Sequence, residues 1–359
     1  MKNLAFNTKY LLLDSKIFSI FRIILIPIWI FLRGDFGPIP YHSAFIQFAI
    51  EWPKSQLSPG QEYIRTSPVG QILFRLSPNH DTFIYFALHF IAIIIAFITI
   101  YIAAKKVDGH KYALRITEIL IIGQVGFVLF RWIGCYDAFT VLVWALIALF
   151  YFYEKYPFLL LSWALLGFQN FEQGLAGLVV LVLCTKGFEL HHERKKILYS
   201  FFFLFLGKTA LESIIFVMNG EIHLGRLNYL NLQVINRGAL DVVTNLPFYL
   251  WSILFPFGLL LFFGIKNSWI LPLRRISLGL ICSVIFSVAA IDHTRVFILI
   301  TFPTIIWVLI YWVPKQEKYD MVISYLYYLS WIFVPGMLWG GEIVMGYGHY
   351  RQIFDAVFR

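Results

Sequence analysis

Apolar runs close to 20 residues long recur through this chain and limit the folds open to it. Of its 359 residues 60% are hydrophobic and only 14% are charged, and its mean hydropathy is +0.75, whereas a soluble globular protein carries roughly 25% charged residues. A run of this length spans the hydrocarbon core of a bilayer as a helix. The sequence therefore predicts an all-α, polytopic membrane protein, since a soluble fold would need several cores to bury so much Phe, Leu and Ile.

The apolar pattern predicts about 11 transmembrane helices. Near the middle of the chain, two short helices are predicted to meet at "GFQNFEQG", because Gly and Asn are poor residues for a helix centre; one long helix is the alternative. The predicted helices are 17–33, 82–104, 115–134, 138–154, 157–168, 173–186, 197–218, 247–265, 275–291, 294–313 and 321–340.

Lysine is distributed unevenly between the two sets of connecting segments. It concentrates in alternate connections, such as "TKGFELHHERKK", while the others carry mostly Arg. By the positive-inside rule, this predicts an integral membrane protein, of the bacterial inner membrane, with its N-terminus in the cytoplasm. In such a protein the net charge of +9 indicates contact with anionic membrane lipids or phosphate and does not indicate nucleic acid.

Acids and arginines from distant parts of the chain are predicted to gather at the outer face. An acid held between helices can accept a proton from a sugar hydroxyl, and Arg binds phosphate oxygens through two parallel hydrogen bonds. One or two carboxylates also bind Mg²⁺ or Mn²⁺ weakly, so a divalent cation is allowed but not required. The catalytic candidates are Asp35 and Asp137, and the candidates for substrate or phosphate binding are Arg295, His293, Asp292, Arg131, Arg237 and Glu172.

Each of these candidates also has a structural explanation. Asp137 and Asp292 each precede an apolar helix and can cap it, and Arg295 can pair with Asp292 one turn away. Asp35 can be an ordinary loop acid beside a glycine. Lys208 and Glu212, four residues apart in the middle of a helix, can neutralise each other inside the bundle or contribute to the outer site.

The first outer loop, 34–81, carries the motif "RGDFGP" and two amphipathic stretches, "YHSAFIQFAIEW" and "SPVGQILFRL". The stretches predict two helices that lie in the membrane interface. This arrangement resembles the GT-C superfamily of membrane glycosyltransferases, in which an essential acid follows the first helix and the first outer loop holds two interfacial helices. The motif places Asp35 at that acid's position. Many members carry a paired acid there, whereas Asp35 is followed by Phe36.

The resemblance implies a membrane module at 1–220, followed by a variable transmembrane module at 221–359. It also implies a glycosyltransferase whose donor is a polyprenyl-phosphate-linked sugar and whose acceptor is a glycan or a lipid. The alternative is a polysaccharide polymerase or ligase that uses an undecaprenyl-diphosphate glycan and depends chiefly on outer arginines. A lipid or solute transporter is a weaker alternative, because the candidate residues gather at one face and polar residues do not continue through the membrane.

Overall fold

The computed structural model describes residues 16–33, 36–39, 42–53, 65–185, 194–220, 232–255, 257–258, 260, 270–290, 292–316 and 318–346. These residues are predominantly helical, in agreement with the predicted class. The helices are α1 (Lys16–Leu32), α2 (His42–Glu51), α3 (Val69–Arg75), α4 (Thr82–Ile122), α5 (Gln124–Arg131), α6 (Asp137–Phe152), α7 (Tyr156–Thr185), α8 (Arg194–Asn219), α9 (Leu232–Thr244), α10 (Leu246–Leu254), α11 (Ile270–Val288), α12 (His293–Trp307) and α13 (Tyr319–Ile332).

Several of these helices have the length and apolar character of membrane spans. Four segments of the described chain satisfy both conditions, and two shorter apolar helices, Asp137–Phe152 and Ile276–Val288, accompany them. The chain is therefore membrane-embedded in character, while the predicted number of 11 crossings is not confirmed. The four segments are Thr82–Ile122, Tyr156–Thr185, Lys195–Asn219 and His293–Lys315, the last extending α12 through a π-helical turn at Val308–Trp312 and a 3-10 turn at Val313–Lys315.

Helix α4 is two antiparallel helices joined at Asp108 and Gly109. Gly109 has a φ of 81°, a left-handed conformation that glycine adopts readily. The reversal brings Phe97 of the first half to 6.2 Å from Phe130, counted between ring centroids. Near the other end, the Tyr85 hydroxyl donates to the Gly134 carbonyl at 2.8 Å. The predicted pair of helices in this region is therefore confirmed, with the turn at 108–109.

Helix α7 is also a hairpin, because its helical geometry is interrupted at Asn170 (φ −163°, ψ 76°). A Cβ built on Gly174 would lie 3.0 Å from Cγ of Leu166, whereas residues eight apart in a straight helix are separated by about 12 Å along the axis. Trp144 of α6 contacts both Trp163 and Gly177, one from each half. The predicted pair of short helices is thus present, and its tip reaches Thr140, one turn from the start of α6.

Helix α8 crosses the first half of α7 with the two backbones in contact. A Cβ built on Gly167 would lie 1.9 Å from the Leu204 carbonyl oxygen, and one built on Gly207 would lie 1.8 Å from that of Ala164. Only glycine allows this approach, as at small-residue crossings of membrane helices. The crossing holds α7 and α8 together at the middle of the bundle.

Charged and aromatic side chains mark one end of the bundle, called here the lysine end. The ammonium of Lys196 at the start of α8 lies over the rings of Tyr151 and Tyr156, at 5.7 and 4.8 Å from their centroids. Lys106, beside the turn in α4, lies 5.7 Å from the ring of Tyr153. The turn in α4, the C-terminal end of α6 and the N-terminal ends of α7 and α8 therefore meet at the same end of the molecule. The sequence predicts all of them to be cytoplasmic.

Two features of the fold differ from the sequence-based expectation. The predicted helix 321–340 ends at Ile332 and is followed by an antiparallel hairpin of β1 (Gly336–Trp339) and β2 (Glu342–Met345). Charge also lies deeper in the bundle than expected, because Arg22 of α1 and Glu118 of α4 form a buried pair with 3.6 Å between Nε and Oε1. Lys208 and Glu212 are therefore not the only charges inside the helical region.

The two helices predicted within 34–81 are present as α2 and α3, and their position in the outer membrane interface stays a prediction. The largest core cluster among the described residues contains side chains from Ile30 to Leu338, so helices from both sides of residue 220 share it. The division of the chain into modules at that residue stays a prediction.

Candidate functional site

The connection between α5 and α6 is fixed to the segment that precedes α2. The Gly37 amide donates to the Phe130 carbonyl at 3.1 Å, and the Ile133 amide donates back to the Gly37 carbonyl at 3.0 Å. Gly134 then turns the chain with a φ of 96°, a conformation suited to glycine. This turn delivers Cys135, Tyr136 and Asp137 to the first turn of α6.

Asp137 is buried, and its two carboxylate oxygens have different surroundings. Oδ2 accepts a hydrogen bond from the Cys135 thiol at 3.3 Å and lies 3.4 Å from Nη1 of Arg295. Oδ1 has no hydrogen-bond partner among the described residues. Asp137 is the first residue of α6 and its side chain makes no capping hydrogen bond, so the capping explanation is not supported. The Oδ1 atom is itself buried, so a ligand must displace neighbouring side chains to reach it.

Arg295, in the first turn of α12, connects the acids of this site. Its Nη2 lies 2.5 Å from Oδ2 of Asp292 and donates to the Tyr136 hydroxyl at 3.0 Å, while Nη1 donates to the Cys135 sulfur at 3.1 Å. The guanidinium lies over the Trp132 ring at 4.9 Å from its centroid, in the geometry of a cation–π contact. Asp292 makes no capping hydrogen bond, so its side chain serves the arginine and not the helix end.

The described members of this cluster contain one cation and two acids. The guanidinium of Arg295 lies between the carboxylates of Asp137 and Asp292, which gives these three groups a formal charge of −1. Burial raises the pKa of the Cys135 thiol, and the negative charge of Asp137 raises it further, so Cys135 remains a neutral donor. Phosphate binding by Arg295 stays a prediction, and it requires the phosphate to replace a carboxylate that already holds the guanidinium.

His293 is wholly buried but belongs to a neighbouring contact. Its Nδ1 lies 2.9 Å from the Ser287 carbonyl, so Nδ1 carries the proton. Its Nε2 lies 3.9 Å from Oδ2 of Asp241 on α9. His293 therefore pairs with a residue that sequence reasoning did not select, because nothing in the local pattern of α9 connects Asp241 to a site.

The tip of the α7 hairpin contacts the turn that carries Asp137 and the first turn of α6. The Gln169 side chain donates to the Tyr136 carbonyl at 3.1 Å and accepts from the Val69 amide at 2.9 Å. Asn170 donates to the Thr140 hydroxyl at 3.1 Å. The polar residues that predicted a break in the helix thus hold the turn that carries Asp137.

Glu172 belongs to a second ionic cluster. Its Oε1 lies 3.5 Å from Nζ of Lys208, which lies 2.8 Å from Oε1 of Glu212. The predicted pairing of Lys208 with Glu212 is confirmed. A contribution of Glu172 to the Asp137 site has no contact to support it.

The hairpin of β1 and β2 also packs against the site. The Leu338 amide donates to the hydroxyl of Thr294, which precedes Arg295, at 3.0 Å. Trp339 packs edge-on against Trp132, with 5.6 Å between ring centroids. Because Trp132 lies beneath Arg295, the hairpin fixes the aromatic surface on which the guanidinium rests.

An apolar cavity, called here the Phe297 cavity, lies on the face of α12 opposite Arg295. Its volume is about 60 Å³. It runs between α10, α11 and α12, in the direction of the lysine end. It is lined by Ile253, Leu254, Phe257, Gly258, Leu260, Ile276, Leu280, Phe297, Thr301, Thr304, Ile305, Val308 and Trp312.

The remaining predicted residues are distributed as follows. Asp35 lies outside the described residues. Arg131 lies beside Gly37, where a built Cβ would be 4.0 Å from Nη1, and Arg237 is exposed on α9. Of the eight candidates, the structure thus brings Asp137, Asp292 and Arg295 into direct contact.

Sequence reasoning missed Trp132, Cys135 and Tyr136 as members of the site. A signal was present, because all three stand within five residues of Asp137 in "RWIGCYD". No group of three or more His, Cys, Asp or Glu side chains in the described part of the chain is placed to hold a metal ion, and the divalent cation stays a prediction.

Comparisons of the chain with protein-family models, with curated proteins and with solved structures found no match. The resemblance to GT-C glycosyltransferases therefore rests on the first outer loop and on the motif that contains Asp35.

Proposed function

We propose that this chain is a membrane glycosyltransferase that takes a sugar from a polyprenyl-phosphate donor, with Asp137 as its general base. The observation that carries the proposal is the Asp137 carboxylate, which is buried, held on one oxygen by Arg295 and Cys135, and has no hydrogen-bond partner on the other oxygen among the described residues. A general base needs one oxygen within hydrogen-bond reach of the proton that it removes.

The proposed reaction transfers the glycosyl group to a hydroxyl of a glycan or lipid acceptor. Asp137 Oδ1 takes the acceptor's proton while the hydroxyl oxygen forms a bond to the anomeric carbon. The bond from that carbon to the donor's phosphate oxygen breaks, and the phosphate leaves with the electron pair. Arg295 contacts the other oxygen of this carboxylate and holds it in position for the acceptor hydroxyl.

The apolar surroundings of the site support a lipid-linked donor. Helix α12, which carries Arg295, has the length and apolar character of a membrane span. The Phe297 cavity is lined almost entirely by apolar side chains, but its α12 residues lie on the other face of that helix from Arg295, so it is not assigned to the donor. Arg295, Arg131 and Arg237 are the predicted partners of the phosphate, together with Mg²⁺ or Mn²⁺ if the reaction needs a cation.

The distribution of charge supports an outer-face reaction. The lysine end is the end that the positive-inside rule assigns to the cytoplasm, and the Asp137 cluster lies at the opposite ends of α6 and α12. We propose that the protein resides in a bacterial inner membrane with its N-terminus in the cytoplasm. The substrate would then be a lipid-linked sugar already present in the outer leaflet.

The test is turnover of a radiolabelled polyprenyl-phosphate sugar pool in membranes that contain equal amounts of each variant. Asp137→Asn keeps the size of the side chain and removes the base, and it should lower transfer by about 10²-fold or more. Glu51→Gln is the matched control, since the Glu51 side chain is exposed and accepts a hydrogen bond from Gln47 on the same helix. It should leave transfer unchanged.

Two further variants separate the competing assignments. If Asp35→Asn abolishes transfer and Asp137→Asn does not, Asp35 is the base and the assignment of Asp137 is wrong. If only Arg295→Ala matters in folded protein, the polymerase or ligase alternative replaces the transferase. If none of these variants changes transfer, glycosyl transfer is not the function of this site.

A further inference from the structure

His293, the first residue of α12, faces Asp241 of α9 with a space between their polar atoms, and the two are called here the Asp241–His293 pair. The His293 ring is wholly buried, and its Nδ1 donates to the Ser287 carbonyl at 2.9 Å. Its Nε2 has no hydrogen-bond partner among the described residues. Oδ2 of Asp241 lies 3.9 Å away, whereas a hydrogen bond from nitrogen to oxygen measures about 2.7–3.2 Å. A buried nitrogen is therefore left without the partner that such atoms normally have.

Both facing atoms of the pair are acceptors when the ring is neutral. With the proton on Nδ1, Nε2 presents a lone pair, and an ionised carboxylate offers only acceptor oxygens. A second proton on the ring would create a wholly buried cation that makes no hydrogen bond to the carboxylate, which is unfavourable. The pair thus consists of two neighbouring acceptors that lack donors.

The exposed part of the pair is the carboxylate of Asp241. Its side chain keeps 18% of its surface exposed, while that of His293 has none. A Cβ built on Gly341, in the turn of the β-hairpin, would lie 3.0 Å from Oδ1 of Asp241, so the turn lies directly against this carboxylate. A ligand therefore approaches Nε2 from the side of Asp241, and the carboxylate rotates beside the glycine turn to admit it.

The same β-hairpin also borders the Asp137 cluster. Trp339 packs against Trp132, the ring over which the guanidinium of that cluster lies. Gly341, which lies against the Asp241–His293 pair, follows Trp339 by two residues, and two residues of chain span at most about 7 Å. The Asp137 cluster and the Asp241–His293 pair therefore lie along adjacent parts of one hairpin.

We propose that the Asp241–His293 pair binds two neighbouring hydroxyl groups of a sugar ring, one donating to the carboxylate and the other to His293 Nε2. Each hydroxyl supplies one O–H donor, so a vicinal diol provides the two donors that the pair lacks. Asp241 supplies the stronger of the two hydrogen bonds, because its acceptor is ionised. The proposal rests on the proposed function for the source of the sugar, which is the lipid-linked donor or the acceptor. Binding itself is measured without transfer.

The test is ¹⁵N NMR of the full-length protein, labelled at histidine and placed in phosphatidylcholine nanodiscs. The Nε2 signal of His293 is assigned by its loss in His293→Gln, and its chemical shift separates a protonated nitrogen, a free lone pair and a lone pair that accepts a hydrogen bond. One series contains glucosyl, galactosyl or mannosyl diacylglycerol, and a second contains polyprenyl-phosphate glucose. We expect a free lone pair without sugar lipid, and a saturable change to the hydrogen-bonded form with at least one of these lipids. The series with the lower half-saturation identifies acceptor or donor as the source.

Two variants assign the response to the pair. Asp241→Asn keeps the size of the side chain and removes its charge. It should raise the sugar-lipid fraction at half-saturation by about tenfold, because hydrogen bonds to a charged acceptor are about twice as strong as those to a neutral one. Glu342→Gln is the matched control, since Glu342 is an exposed acid of β2 in the same hairpin, and it should behave as the wild type. Thermal unfolding of each variant confirms that it is folded before the spectra are compared.

Specific outcomes overturn the proposal. A protonated Nε2 with and without sugar lipid would show that His293 and Asp241 form a fixed ion pair. No response to any of the sugar lipids, or an equal response to polyprenyl phosphate that carries no sugar, would show that hydroxyl groups are not recognised. Equal effects of Asp241→Asn and Glu342→Gln would assign the response to the general charge of the hairpin. A saturable response in a protein that transfers no sugar would support the binding site and overturn the proposed function, and transfer without any response would do the reverse.

Discussion

Replacing Arg295 by methionine removes the cation of the site while keeping a side chain of similar length. Only 8% of the Arg295 side chain is exposed, against 3% for Asp137 and 17% for Asp292, so the change removes the cation that contacts two largely buried carboxylates. Removal of one partner from a buried ion pair costs about 3–5 kcal/mol. We expect Arg295→Met to lower the free energy of unfolding by this amount.

The measurement is a reversible titration with SDS in mixed micelles, followed by tryptophan fluorescence. Arg237→Met, at an exposed arginine of α9, is the control and should change the free energy of unfolding by less than about 0.5 kcal/mol. The triple variant Arg295→Met, Asp137→Asn, Asp292→Asn removes all three charges. Because replacing a whole buried ionic group is often neutral, it should be more stable than the single variant by about 2 kcal/mol or more.

A loss smaller than about 1 kcal/mol for Arg295→Met would contradict the reasoning, since surface ion pairs have that magnitude. So would a triple variant no more stable than the single one. Either result would mean that water reaches the carboxylates and that the cluster is not the desolvated site described above.

Two further predictions concern packing and cysteine reactivity. Gly207→Leu should separate α8 from α7, because a Cβ at this position would lie 1.8 Å from the Ala164 carbonyl oxygen. The free energy of unfolding should fall by about 2 kcal/mol or more. Ala210→Leu, at an exposed position of the same helix, is the control and should have no such effect. Cys135 should react slowly with maleimide in the folded protein up to pH 9. Its pKa is raised by burial, so the side chain stays in the unreactive thiol form at pH values where an ordinary cysteine is already ionised. Peptide mass spectrometry after timed labelling measures this, and labelling of folded protein as fast as of SDS-unfolded protein would contradict it.

The sequence predicted the helices well where periodic apolar runs end at polar or glycine-rich segments. The reversal at Gly109 and the break at Asn170 both lie at such segments, and local conformational preference is enough to place them. The site was predicted in part for a similar reason, because Asp137 and Asp292 each stand at the start of an apolar helix, at positions that the topology places at one end.

The β-hairpin was missed because an apolar run continues through it. "FVPGMLWGGEIVMG" resembles the end of a membrane helix in composition, yet Gly340 and Gly341 have φ values of 56° and 81°, as a two-residue hairpin turn requires. The Gly-Gly pair was the local signal. The contact of His293 with Asp241 had none, since it depends on how α9 packs against α12.

The interruption at Asn170 has a consequence for the sidedness of the whole chain. Helix α7 leaves the lysine end and returns to it, which predicts that residues 156–185 make no net crossing of the membrane, although their length and composition allow one. Had this segment been a single span, every later connection would lie on the opposite side of the membrane. Reporter fusions placed after residues 154 and 186 should therefore report the same compartment. The break at Asn170 therefore decides whether Asp137, which precedes it in the chain, and Arg295, which follows it, lie on the same side of the membrane. Only then can the two residues face a common substrate.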